Sequence, residues 1–310
     1  MASRFSRSLR PLRTAARTVR QSLVLQNTRI FAGRQLHRLS DGGTLDVDLA
    51  ARIGMGALLA YALRLHAYAN QTGRRATIVS TSRLYGTGGD VFGEYFHRPV
   101  PETDWKPDNA LVNEWLLLRA APWTMSLDSA HRLFREHFRP KPVVEQHIGE
   151  PFDLSIHFRG TDKVAESGFV ARDAMLAAID GFAPARGKGK SIFLATDEPA
   201  FELAVRERFP LARFATFNLG EVADGQARHF SKLSPGDKAL EALVNVFQIA
   251  NARVCVRTSS YLSAMSRIVN PDLRTHTINV NRFSQIFPED QILIAEASDS
   301  LRLTDRAQSC

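Results

Sequence analysis

The feature that most narrows the fold is a regular alternation of short strands and helices through the second half of the chain. FDLSIHF (152–158), KSIFLATD (190–197), ARFATFN (212–218), ARVCVRT (252–258) and THTINV (275–280) read as strands. Helices fall between them: around Arg172–Gly181, from Pro199 onward, over Lys238–Ala250, and over 259–269, where two serines suit a cap. Strand–helix–strand repeats call for parallel pairing. The expectation is an α/β chain with a doubly wound, Rossmann-like sheet, which takes its ligand beyond the carboxyl ends of the strands.

The first half starts in the same way. TLDVDLA (44–50) predicts a strand, and residues 51–75 carry Leu58, Leu59, Ala62, Leu63, Leu65 and Ala69 at helical spacing, stopped by Gly73. ATIVSTS (76–82) predicts the next strand. From Leu84 to about Asn109 no period is sustained and Pro101 and Pro107 break helices, so this stretch reads as an irregular connection, and Pro122 limits a helix further on. A helix is expected over Leu127–His137, and HFRPKP (137–142) reads as a seam stiffened by two prolines. The chain divides into a basic leader (1–42), an N-terminal Rossmann-like domain (43–148), a C-terminal Rossmann-like domain (149–285) and a tail (286–310).

A net charge of +8 invites a nucleic-acid reading, but the charge sits at one end. Nine arginines fall within residues 1–40 without a lysine or an acid, leaving 31 basic against 32 acidic groups in the body. A neutral body argues against nucleic acid as partner. The leader is compatible with an untidy start, a transit peptide or a basic arm. No run approaches a membrane span, and no apolar signal core follows the basic start, so a soluble, cytoplasmic protein is expected, with an organellar one as the alternative. The two cysteines, Cys255 and Cys310, supply neither a disulfide framework nor a zinc site.

Three strand ends carry unusual polar residues: His157, Arg159, Asp162 and Lys163 after the first, Asp197 and Glu198 after the second, and Thr258, Ser259 and Ser260 after the fourth. A parallel sheet gathers such ends into one crevice. An arginine fork and a lysine suit a phosphate or diphosphate, although Arg159 and Asp162 also suit a plain ion pair. Serines opening a helix provide either an N-cap or an anion site made of free N–H groups. Arg52, Gly54 and Gly56 form a glycine turn too short for a dinucleotide fingerprint, and no ribose-binding acid follows ATIVSTS, which argues against NAD. That turn allows an acceptor or a donor sugar to approach the backbone closely. The scattered histidines, among them His66, His97, His147 and His229, show no metal-ligand spacing.

Four blocks carry a family resemblance: ARIGMG (51–56) with its helix up to TGRR (72–75), SIHFRGTDKV (155–164), IFLATDEP (192–199) and ALVNVFQIANARVCVRTSSYLSAM (242–265). They resemble the fucosyltransferases that include the rhizobial nodulation enzyme and the animal core α1,6-fucosyltransferase, over roughly residues 45–285. The resemblance implies two facing Rossmann-like domains with parallel sheets, the GT-B arrangement. The first domain would lie on the acceptor side and the second would bind the nucleotide sugar. It also implies inverting transfer from GDP-fucose to an oligosaccharide or other glycan hydroxyl, with neither metal nor cofactor. By position, Arg159 would contact the donor diphosphate, His157 and Asp162 would shape the pocket, Asp197 would hold guanine or ribose, and Ser259 or Ser260 would meet phosphate. The turn at Gly54 and Gly56, with Glu198 and Thr258, would complete the donor site.

This chain departs from that pattern in three places. Gly160 stands where the core-fucosylating enzymes have a second arginine, and the acid after the Asp-Lys pair is shifted to Glu166. The aspartate of the helix before the fourth strand is replaced by Val244 or Asn245, so either the nucleotide is gripped differently or Asp237 takes over. The expected catalytic set is Arg159, Asp162, Lys163 and Glu166, with Asp162 or Glu166 as base. Transfer of another sugar and a non-catalytic sugar-nucleotide or glycan-binding module are the alternatives.

Overall fold

The computed structural model describes residues 44–99, 126–160, 169–220 and 231–279. The leader, the tail, Asp162, Lys163, Glu166 and Cys310 lie outside them.

In the second half, β5 (Leu154–Phe158), β6 (Ser191–Thr196), β7 (Arg213–Ala215), β8 (Val254–Arg257) and β9 (Arg274–Thr277) form one five-stranded sheet, entirely parallel, in the order β7-β6-β5-β8-β9. All five residues of β5 are buried, as befits a central parallel strand covered on both faces. The crossover helices are α5 (Arg172–Asp180), α6 (Pro199–Arg208), α7 (Pro235–Ala250) and α8 (Tyr261–Val269). Pro199 and Pro235 open α6 and α7 at positions where a missing N–H costs nothing. Ser234 and Ser260 cap α7 and α8 by accepting from Asp237 N and Ser263 N. Leu154, Ile156, Phe158, Ile192, Leu194 and Phe201 build the core beneath α5 and α6.

The first half supplies β1 (Thr44–Asp48) and β2 (Arg75–Val79), paired in parallel around α1 (Met55–Gln71). This helix is buried nearly all round, Leu58, Leu59, Leu63 and Leu65 being 0–1% exposed. Each such leucine contributes roughly 2 kcal/mol of hydrophobic stabilisation. The reason is placement: α1 packs on α8, α7 and α3 (Leu127–His137) as well as on its own strands, so one core joins Leu59 and Phe134 to Phe247, Met265 and Ile268.

Residues 84–99 hold more structure than their sequence shows. A short helix α2 (Val91–Tyr95) is capped by Asp90, whose carboxylate accepts from Phe92 N and Gly93 N and pairs with Arg98. It leads into β3 (Phe96–His97), which pairs antiparallel with β4 (Arg139–Pro140). The chain continues from β4 into α4 (Pro142–Glu145), while Phe138 packs edge-on against Phe92 and Phe96.

No helix among the described residues is long and apolar enough to cross a membrane. Cys255 is a fully buried free thiol at the middle of β8, and burial pushes its pKa up.

Candidate functional site

The strand order reverses direction between β5 and β8, and at that switch point the carboxyl ends of β5, β6 and β8 meet. His157 and Arg257 are in register on β5 and β8, as His157 and Ala195 are on β5 and β6. His157, Asp197, Glu198, Thr258, Ser259 and Ser260 are all buried here.

Arg159 leaves β5 toward β6, placing its Nε 3.6 Å from Asp197 Oδ2. Its backbone N–H donates to Thr258 Oγ1 at 3.1 Å, and Thr258 N–H donates to the His157 carbonyl at 2.9 Å. The ends of β5 and β8 are thereby stapled on both sides of Phe158. Glu198 faces the other way: its Oε2 accepts from Arg172 Nε at 2.7 Å, and its Oε1 lies over Gly160, 1.9 Å from where a Cβ would be. Gly160 thus leaves room for a carboxylate. Sequence proximity to Asp162 suggested one partner for Arg159, and the fold provides Asp197 as another.

At the opening of α8, Ser260 Oγ accepts from Ser263 N at 3.3 Å, so this serine is the helix N-cap. Ser259 N–H donates to Asn279 Oδ1 at 2.9 Å. Asn279 was not legible as a site residue, since it stands between Ile278 and Val280 inside the run read as the last strand.

The N-terminal half reaches the same place through the glycine turn. Gly54 is the N-cap of α1, with open space around its Cα, whereas a Cβ on Gly56 would lie 2.6 Å from Leu262 N and 2.7 Å from Tyr261 C. The backbone that approaches Gly56 most closely is therefore that of α8. Arg52 of the same turn is exposed. Tyr85, 2% exposed, completes the junction: its hydroxyl oxygen accepts from Met55 N–H at 2.9 Å. Burial pushes the Tyr85 phenol up to about 12, against the opposing pull of the Met55 N–H and of Arg159. A tyrosine in the glycine-rich stretch 84–93 carries no periodic signal and escapes sequence reading.

Of the residues proposed for base recognition, Val244 is core, Asn245 donates to the Phe217 carbonyl at 3.2 Å, and Asp237 accepts from Ser234 Oγ at the exposed start of α7. A cavity of about 520 Å³ lined by Asp180, Arg186, Glu207 and Arg208 lies elsewhere, at the carboxyl ends of α5 and α6. Among the described residues no cluster of three or more His, Cys, Asp or Glu is arranged to hold a metal ion.

The strand ends thus converge on one crevice at the switch point of a parallel α/β sheet. Among solved structures, the chain is similar in fold to an Arabidopsis thaliana FUT1 point mutant in complex with GDP, at 11% identity and TM-score 0.50, over 79% of this chain and 72% of that one. Two structures of the fucosyltransferase NodZ are similar at 16% identity and TM-score 0.49. One, an α-1,6-fucosyltransferase co-crystallized with GDP, is matched over 73% of this chain and 92% of its own. The other, from Bradyrhizobium, is matched over 73% and 93%. No protein-family model and no curated protein sequence matches the chain. The fold is thus similar to that of the Arabidopsis FUT1 structure.

Proposed function

We propose that the chain is a glycosyltransferase that moves fucose from GDP-fucose to a glycan hydroxyl, with inversion and without a metal. The observation that carries this reading is the convergence of Arg159, Asp197 and the opening of α8 at the switch point of a parallel sheet. A diphosphate needs a fixed cation and N–H donors at one place; Arg159 would supply the first and the opening of α8 the second. The fold, similar to that of an Arabidopsis protein solved with GDP, supports the same donor class. The described part of the first half would form the acceptor-facing lobe of a GT-B arrangement, with Gly54 beside open space, while Gly56 packs on α8 and Tyr85 on the start of α1.

The chemistry is a displacement at the anomeric carbon. The acceptor oxygen forms its bond to that carbon as the bond to the β-phosphate oxygen breaks, and GDP departs. Arg159 and helix N–H groups stabilise the charge that develops on the leaving diphosphate, so positioning and electrostatics supply most of the acceleration. The acceptor proton passes to a carboxylate, Asp162 or Glu166, beside Lys163. Asp197 would hold Arg159 in place, and Glu198, bonded to Arg172 over Gly160, would line the nucleoside end of the pocket.

Calorimetric titration with GDP, GDP-fucose, GDP-mannose, UDP and NAD tests this reading, with Arg159→Ala in parallel. Selective binding of GDP and GDP-fucose, lost in the variant, is the expected result; binding of none of the five overturns it.

A further inference from the structure

Arg257 ends β8 with 0% exposure, in register with His157 on one side and Thr277 on the other. A guanidinium cannot shed its charge, so burying it demands hydrogen bonds. Its Nε donates to Thr277 Oγ1 at 3.0 Å, and its Nη1 donates to Ser263 Oγ at 3.1 Å, in the first turn of α8. Ser263 Oγ accepts that bond and keeps its own proton to give. The Thr258 and Ser260 carbonyls lie 3.4 Å away and Ser260 Oγ at 3.1 Å. Thr258 in turn receives the Arg159 N–H on its hydroxyl and gives its own N–H to His157. An unbroken chain of contacts therefore runs from the Arg257 guanidinium through Ser263 and Thr258 to the backbone of Arg159.

We infer that Arg257 is a positioning residue of the donor site: by clamping the first turn of α8 to β9, it fixes Thr258 and hence the angle at which Arg159 leaves β5. The inference rests on the GDP-sugar reading above and adds a second arginine to it, one that orients the phosphate-binding cation from beneath. Three hydroxyls, Ser263, Thr277 and Thr258, meet the guanidinium or its neighbours, and each is buried or half-buried. Hydroxyls suit this task because they accept from the arginine and still donate onward. Loss of the clamp would leave the nucleoside end of the site, at β6, in place and loosen only the diphosphate end.

The test compares GDP with GMP. Calorimetry is run on the parent chain, Arg257→Lys, Ser263→Ala and Thr277→Val, with thermal melting of each. The expected result is a GDP affinity about tenfold lower in Arg257→Lys and Ser263→Ala, the factor for one charge-assisted hydrogen bond, with GMP affinity changed less than about threefold. Should Arg257→Lys fail to fold, Ser263→Ala carries the test, because it keeps the guanidinium and removes the hydroxyl that links it to Thr258 and Ser260. Equal losses for GDP and GMP, or none for either, overturn the positioning role. A parent chain that binds neither nucleotide overturns the donor reading itself, and the positioning role with it.

Discussion

Arg159 and Asp197 meet across the ends of neighbouring strands, Nε to Oδ2 at 3.6 Å, with the aspartate side chain 5% exposed. Separating a buried pair by deleting one partner costs about 3–5 kcal/mol, less here because the arginine retains some contact with water. Arg159→Ala is expected to lower the melting temperature and to weaken GDP binding by at least about tenfold. Arg159→Lys, which keeps the charge and loses the planar fork, should fall between the two. Calorimetry and thermal melting read both effects, and undiminished GDP affinity in Arg159→Ala would remove this residue from the site.

The two glycines of the turn before α1 should respond differently to substitution. Ala is favoured over Gly in a helix interior by up to about 1 kcal/mol. At Gly56 that gain is overwhelmed, because the new Cβ would lie under 3 Å from the backbone of Tyr261 and Leu262, atoms that move only if a helix moves. Gly56→Ala is expected to cost about 1–3 kcal/mol or more. At Gly54 nothing lies within 4 Å, and Gly54→Ser should leave stability within about 0.5 kcal/mol of the parent. Urea denaturation of both variants is the measurement; equal effects would contradict the close approach of α1 to α8.

Tyr85→Phe removes the oxygen that accepts the Met55 N–H and leaves an orphan donor in a buried place. A cost of about 1–3 kcal/mol is expected. In the parent, the absorbance of this phenol should not titrate until the pH nears about 12 or the chain unfolds.

His66 and His137 stack face to face with ring centroids 3.6 Å apart, between α1 and the end of α3. Burial is the largest cause lowering the pKa of each, and the nearby Arg98 adds to it for both. Glu136 pulls His137 the other way, and Arg98 is itself paired with Asp90. Because the folded values are depressed, the unfolded chain takes up protons first. Stability should be full above pH about 6.5 and should decline as pH falls below it, by up to about 1.4 kcal/mol per pH unit for each ring. Urea midpoints at pH 8 and pH 5 measure this, and His66→Phe should flatten the dependence.

Much of the sheet was legible because each strand of a parallel α/β sheet carries its own local pattern. All five strands of the second half stand where their sequences put them, give or take a few residues, and the helix Leu127–His137 is matched at both ends. What escaped reading depends on partners far along the chain. The β3–β4 pairing joins Phe96 to Pro140, across more than forty residues, with a proline in the second strand. Arg257 resembles an ordinary polar strand end until its fully buried position is seen. Gly56 reads as an opening for a ligand, whereas its neighbour in the fold is the backbone of α8, two hundred residues on.

The shared core has a practical meaning for anyone dissecting this protein. By chain order α1 belongs to the first half, yet it covers α7 and α8, whose residues Val246, Phe247, Met265 and Ile268 complete its packing. A proteolytic or recombinant fragment starting near residue 149 would keep the five-stranded sheet and lay that surface bare. Such a fragment should associate or precipitate, and supplying α1 in trans, as a peptide spanning Met55–Gln71, should restore its solubility.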